Sequence, residues 1–203
     1  MTILDYGVGN IKAFCNVFDQ QGIKYKVASS NSSLRDASKI IFPGVGSFDN
    51  AMSLLNNSGM RETLEKLVIS DRIPILGICV GMQMFSRYSE EGRETGLGWI
   101  DSSVIKFRSE TKCPSPHMGW NNLVNFEDHM IFEGLSHESY FYYLHSYYFK
   151  SNNIANVLAN TSYGIEFNSV VIKDNIIGVQ FHPEKSHDAG TRLLLNFNDF
   201  SVC

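Results

Sequence analysis

The 203-residue chain has 17 Lys and Arg against 21 Asp and Glu, a net charge of -4, with 43% apolar and 19% charged residues. That balance predicts one soluble globular domain over residues 1–203 and excludes the basic footprint of a nucleic-acid binder. No apolar run nears the roughly 20 residues a bilayer demands, and Met1 to Asn10 lacks the basic-then-apolar order of a signal peptide, so no membrane association and a cytoplasmic location are expected.

Thr2 to Leu4 is a short strand candidate ending at Asp5-Tyr6-Gly7. Ile11, Phe14, Val17 and Phe18 recur at helical spacing, with Gly22 as the stop signal. Tyr25 to Ala28 and Lys39 to Phe42 read as strands, the second terminated by Pro43-Gly44. Ser47 to Asn57 and Met60 to Ser70 are helical, Ile73 to Ile78 is a buried strand, and Met82 to Arg87 starts a helix. Strands alternating with helices predict βαβ units and a largely parallel sheet. Leu97 to Phe107, Asn121 to Phe126, Tyr140 to Phe149, Ala155 to Ala159, Phe167 to Lys173 and Ile176 to Phe181 are closely spaced strand candidates that predict an antiparallel extension. Leu193, Leu194 and Phe197 form the apolar stripe of a closing helix. One α/β domain with a mixed sheet accounts for this order.

The four cysteines, Cys15, Cys79, Cys113 and Cys203, form no CxxC pair and no zinc-ligand spacing, so free thiols and no metal are expected. Cys15 lies in an apolar helical pattern, Cys113 in a Pro-rich loop and Cys203 at the terminus, where a thiol acts as a small hydrophobe. Cys79 differs. Gly77-Ile78-Cys79-Val80-Gly81 follows an apolar strand and precedes a helical pattern, the context of a nucleophile elbow with Cys in place of Ser. A helix starting after the thiol favours the thiolate, and the Val80 N–H points toward a developing oxyanion. A buried structural Cys in a glycine-containing turn fits the pentapeptide equally well.

A second motif shifts that balance. Gly178-Val179-Gln180-Phe181-His182-Pro183-Glu184 follows a strand, and Pro183 biases His182 toward an extended backbone. Residues two apart in an extended segment share a face, so Glu184 can orient the His182 imidazole. His182 then serves Cys79 as general base. By itself, His-Pro-Glu also fits a turn with a solvated carboxylate. Among the other histidines, His129 and His137 sit in polar loop sequence and are expected to be exposed. Pro43-Gly44-Val45-Gly46 ends a strand and can supply a further oxyanion N–H, or be an ordinary βα turn. Gln83 lies one helical turn after Cys79, so its amide can meet the amino-acid end of a substrate. The aromatics of YYLHSYY, Tyr142 to Tyr148, read first as core or cross-strand pairs.

DYGVGN (Asp5 to Asn10), PGVGSF (Pro43 to Phe48), GICVGMQ (Gly77 to Gln83), PHMGWN (Pro116 to Asn121), YYLHSYY and GVQFHPEKS (Gly178 to Ser186) span nearly the whole chain. Together they resemble the class I (triad) glutamine amidotransferases, and more narrowly the HisH family, the glutaminase subunits of imidazole glycerol phosphate synthase. The cysteine elbow and HPE specify only the class; PHMGWN, LHSYY and HPEKS carry the narrower match. The resemblance implies a flavodoxin-like open mixed sheet flanked by helices and no cofactor. It implies a Cys79, His182, Glu184 triad, an oxyanion region at Gly44, Val45 and Val80, and glutamine held by Gln83, Ser146 and Tyr147. It implies a face at Asn10, Trp120, Tyr142 and Lys185 for a (β/α)8 cyclase subunit, forming a heterodimer. Leu144 and Tyr143 depart from the commoner Val and Phe, which leaves the branch of the family open.

The expected reaction is hydrolysis of L-glutamine through a Cys79 thioester, with ammonia channelled to the cyclase. The cyclase makes imidazole glycerol phosphate and an aminoimidazole carboxamide ribonucleotide in histidine biosynthesis. One alternative is a paralogue supplying ammonia to a sugar-modifying amidotransferase; another is a non-catalytic binding module.

Overall fold

The computed structural model describes residues 1–108 and 113–201; Cys203 lies outside the described residues. Its main sheet places β2 (Lys26–Ala28), β1 (Thr2–Leu4), β3 (Ile40–Gly44), β4 (Ile75–Cys79) and β12 (Ile176–Val179) side by side, all parallel. This is the 2-1-3-4-5 order of a flavodoxin-like sheet. The four inner strands β1, β3, β4 and β12 read TIL, IIFPG, ILGIC and IIGV and are buried along their whole length, as a sheet covered on both faces requires, while edge strand β2 is buried only at Ala28. Antiparallel β11 (Glu166–Lys173) and β9 (Tyr147–Ser151) continue it through β6 (Ser102–Lys106) to β5 (Tyr88–Ser89), and β10 (Val157–Ser162) pairs with β11. The predicted α/β fold with an antiparallel extension is what forms.

The helices follow their end signals. In α1 (Ile11–Gln21), Asn10 accepts the Ala13 N–H, Phe14 and Phe18 are buried one turn apart, and Gly22 closes the helix at φ 67°. Ser30 caps the short α2 (Asn31–Leu34), Ser47 caps α3 (Phe48–Asn57), and α6 (His187–Asp199) buries Leu193, Leu194 and Phe197. Each of those three side chains contributes about 1.5–3 kcal/mol by leaving water.

Several boundaries differ from expectation. The third strand runs through Pro43 to Gly44, pairing Pro43 with Ile78 and Gly44 with Cys79. Its other neighbour, β1, pairs only as far as Ile41, so Pro43 sits where the strand is locally an edge and needs no ladder N–H. The Pro43 carbonyl instead accepts the Tyr6 hydroxyl at 2.9 Å. The 60–70 helix is α4 (Arg61–Glu65) continued by π-helical turns over Lys66–Ser70. The helix after Cys79, α5 (Val80–Gln83), is a single turn. It stops because Leu97, Gly98 and Ile100 donate their N–H groups to the Met84, Ser86 and Phe85 carbonyls. That same bonding keeps 97–100 out of the strand expected over Leu97 to Phe107. The strand expected over Asn121 to Phe126 lies earlier, as β7 (His117–Asn122), and Asn125 at φ 51° prevents its continuation.

The largest departure is Tyr140 to Phe149. It splits at Ser146 into β8 (Tyr140–His145), which pairs with β7 in a separate two-stranded sheet, and β9 in the main sheet. Backbone carbonyls at this corner are satisfied from outside any ladder. Ser146 O accepts the Phe107 N–H, and Tyr147 O accepts His145 Nδ1–H at 2.8 Å and Gln83 Nε2–H at 3.0 Å. The corner therefore hangs over the carboxyl end of β4.

Candidate active site

Cys79 is the last residue of β4 and sits at φ 54°, ψ -111°, a conformation that non-glycine residues rarely adopt. The turn exists because two glycines let two backbone segments touch, the end of β3 and the elbow after Cys79. A Cβ on Gly44 would lie 2.3 Å from Gly81 N, and one on Gly81 2.1 Å from Phe42 O. Only one helical turn follows the thiol, so what reaches the sulfur is local polar groups rather than a long helix dipole.

Those groups come from two segments, β8 and the stretch that follows β12. Cys79 Sγ lies 3.9 Å from Leu144 O and 3.7 Å from Gln180 Nε2, and its charge acts on the neighbouring His182. His182 Nδ1 is 2.9 Å from Glu184 Oε1, both side chains being almost fully buried. A carboxylate only accepts, so Nδ1 carries the proton and Nε2 is left to face the thiol. Glu184 Oε2 has no hydrogen-bond partner among the described residues, which leaves its charge directed at the imidazole. Burial pulls the His182 pKa down, but the charge and hydrogen bond of Cys79, joined by those of Glu184, outweigh it and raise the value to about 10. The arrangement favours the imidazolium form of His182 beside the Cys79 sulfur.

The route to this pairing differs from the expected one. β12 ends at Val179, and Pro183–Lys185 forms a 3-10 turn, so Glu184 reaches His182 by turning back rather than by strand alternation. The turn is bolted to the small sheet. His182 N–H donates to Tyr142 O, Tyr142 N–H donates to Ser186 Oγ, and Ser186 Oγ–H donates to His182 O at 2.6 Å.

A cavity of about 710 Å³ opens over Cys79. Val45, Val80, Gln83, Ser146, Tyr147, Asn10 and Lys185 all line it together with Cys79. Gly44 is buried beneath, paired with Cys79, and does not line it. Both Gln83 amide hydrogens are engaged, by Tyr147 O and Gln180 Oε1, so Gln83 can offer a ligand only its carbonyl oxygen. Trp120 and Tyr142 lie outside the cavity, on the β7–β8 sheet. Trp120 stacks on His187 with ring centres 5.0 Å apart, and Lys185 Nζ sits 5.8 Å from the Tyr142 ring centre.

Sequence reading missed two groups and misplaced a third. Glu91 brings a carboxylate into the cavity; its Oε2 accepts the Phe48 N–H at 2.8 Å. Its turn is held by Asp49, which accepts N–H groups of Arg93 and Glu94. His117 and His145 form a buried pair beside the cavity. No local pattern marks these residues, since each acts through a chain segment far away. His129, expected to be exposed, is half-buried because its Nδ1 caps the turn at Met130–Phe132, while His137 is exposed. Among the described residues no group of three His, Cys, Asp or Glu is placed to hold a metal, and no helix is long and apolar enough to cross a membrane.

The chain is similar to known proteins at two levels, sequence and fold. The family described as glutamine amidotransferase class-I matches residues 2–200. The chain is 49% identical over 200 residues to the imidazole glycerol phosphate synthase subunit HisH of Bdellovibrio bacteriovorus, covering 97% of this chain and 98% of that protein. It is 46% identical over 198 residues to the HisH of Leptospira interrogans, covering 96% and 97%. Among solved structures, a glutamine amidotransferase aligns with a TM-score of 0.75 at 19% identity, covering 98% of this chain and 97% of that one. Another, from Thermotoga maritima, aligns at 0.63 and 16%, covering 98% and 83%. At such identities the two structures bear on the fold alone. The chain belongs to the class-I glutamine amidotransferases and, within them, to the HisH family of imidazole glycerol phosphate synthase subunits.

Proposed function

We infer that this chain is a cytoplasmic, single-domain glutaminase that hydrolyses L-glutamine and delivers the ammonia to a cyclase subunit in histidine biosynthesis. The observation that carries this reading is the contact between Cys79 and His182, with His182 Nδ1 2.9 Å from Glu184, at the floor of the cavity. The Cys79 thiolate attacks the side-chain amide carbon of glutamine. The resulting oxyanion is met by backbone N–H groups of Val45 and Val80 in the Gly44–Val45 and Cys79–Val80 turns. His182, as imidazolium, protonates the departing nitrogen, which leaves as ammonia and a glutamyl thioester. Water then gives a proton to His182 Nε2 and its hydroxide to the thioester carbon, releasing glutamate and the thiolate. Glu184 holds the imidazole tautomer throughout.

The amino-acid end of glutamine carries an ammonium and a carboxylate. The Gln83 carbonyl oxygen and the Glu91 carboxylate are acceptors and suit the ammonium, while the Ser146 and Tyr147 segment faces the remainder. No metal or organic cofactor takes part.

The partner docks on the β7–β8 sheet. Register pairs Met118 with Leu144 and Trp120 with Tyr142, and Met118 is 65% and Trp120 47% exposed. Such a row of large apolar side chains, next to the exposed Lys185 and Asn10, suits burial against a second protein. The proposed partner is a (β/α)8 cyclase forming a heterodimer, which would receive ammonia without passing through water, where it becomes protonated.

The test is glutamate release by the chain alone, with the cyclase, and with the cyclase and its substrate. Slow turnover that rises steeply in the loaded complex and vanishes in Cys79→Ala supports the reading. Fast turnover indifferent to the partner overturns the coupled form of it. Complementation of a histidine auxotroph lacking this subunit separates it from a paralogue serving sugar modification.

A further inference from the structure

We propose that Gln180 is a catalytic residue whose side-chain N–H stabilises negative charge on Cys79 Sγ, and that Gln83 acts as the positioning residue that fixes its orientation. The proposal rests on Cys79 being the nucleophile. Gln180 is fully buried, and Gln83 and Cys79 are 2% and 3% exposed. Gln180 and His182 flank Phe181, which turns the other way to stack on Phe141 at 4.1 Å, so both approach Cys79.

The direction of the Gln180 amide follows from its neighbours. Tyr147 O is a backbone carbonyl and can only accept, so the Gln83 atom 3.0 Å from it is the amide nitrogen. That same nitrogen lies 3.1 Å from Gln180, so the Gln180 atom facing it is the oxygen. Gln180 Nε2 is thereby turned toward the sulfur at 3.7 Å. Tyr147 O is itself held by His145 Nδ1–H at 2.8 Å, which anchors the chain of dipoles at its far end.

Two primary amides in a dry interior cost desolvation that apolar side chains of equal volume would not. A net that only tied α5 to β9 and β12 would be satisfied without a donor on the sulfur. In the water-excluded site a hydrogen bond to a charged acceptor is roughly twice as strong as one to a neutral acceptor. The sulfur is charged twice in the cycle, as attacking thiolate and as leaving group from the thioester, and neutral in between. Gln180 therefore favours the charged form at both points, as a fixed neutral donor that neither gains nor loses a proton while His182 does both.

The experiment uses the two-subunit complex and iodoacetamide, which needs no glutamine site. Carbamidomethylation of the Cys79 peptide is followed by mass spectrometry across pH in wild type, Gln180→Met and Gln83→Leu. The expected result is a midpoint moved to higher pH in Gln180→Met, with the neutral-pH rate lowered about tenfold. Gln83→Leu, which frees Gln180 to rotate, moves it the same way by less and decides the matter if the Gln180 variant does not fold. A Gln180→Met profile superimposable on wild type in folded complex overturns the proposal. A wild-type Cys79 no more reactive than Cys15 overturns instead the glutaminase reading beneath it.

Discussion

The imidazoles of His117 and His145 meet at 2.9 Å, Nδ1 to Nε2, in the packing between the small sheet and the cavity wall. His145 Nδ1 donates to Tyr147 O, so its Nε2 must accept from His117 Nδ1–H, and His117 Nε2 accepts from Asn121 Nδ2–H at 3.3 Å. Every proton in this line has one place to be, and an extra one on either ring breaks it.

Burial holds both rings neutral, lowering the His117 pKa to about 4 and that of His145 to about 3. The unfolded chain takes up these protons near pH 6.5, so the pair's stabilisation is complete above that pH and is lost as pH falls through 4 and 3. The slope reaches about 1.4 kcal/mol per pH unit for each ring. Urea unfolding at pH 7 and pH 5 reads it. His117→Asn should be less stable at pH 7 with a shallower loss; an equally steep loss would count against the pair.

Cys79 is held at φ 54°, which a glycine tolerates better than any side chain. Cys79→Ala keeps that strain and Cys79→Gly removes it. The relief of about 1–3 kcal/mol exceeds glycine's entropic cost of about 0.5–1 kcal/mol. Cys79→Gly should therefore melt above Cys79→Ala, with both variants devoid of glutaminase activity. A lower melting temperature for the glycine variant would show that the turn is unstrained.

Glu91 is fastened to Phe48 N–H and faces the cavity at the end assigned to the substrate ammonium. Glu91→Gln should raise KM for glutamine about tenfold or more while leaving kcat within a few-fold, the pattern of an interaction made equally in ground and transition states. Steady-state kinetics of the activated complex checks this, and a kcat loss with unchanged KM would place Glu91 elsewhere.

Trp120 presents nearly half its surface to solvent while braced by His187 and Tyr142. A rigid exposed aromatic of this kind is a candidate hot spot. Trp120→Ala should weaken cyclase binding by about 2 kcal/mol, roughly 30-fold in Kd by calorimetry, with the melting temperature of the isolated chain little changed. Unaltered affinity would move the docking face off the β7–β8 sheet.

The parallel half of the fold and the cysteine elbow were legible in the residues. Buried parallel strands write themselves as unbroken apolar runs, and five residues mark the sharp strand–turn–helix, although they fit a nucleophile and a structural Cys equally well until His182 and Glu184 are added. His182 and Glu184 were also legible, since they lie two residues apart, although the contact is made through a 3-10 turn rather than along a strand. YYLHSYY was read as one strand because nothing local shows that its halves pair with different sheets; the partners that divide it, β7 on one side and β6 and β11 on the other, lie elsewhere in the chain.

What the chain determined by itself was local: element types, the elbow at Cys79, and the base two residues from its orienter. What only the tertiary structure decided was which distant polar groups converge on the sulfur. Gln83 meets Gln180 across 97 residues and Tyr147 across 64, and Cys79 meets Leu144 across 65. Hydrogen bonds act over a few ångströms, and a separation of that many residues becomes a contact only after sheet order and the corner at Ser146 have placed the ends together.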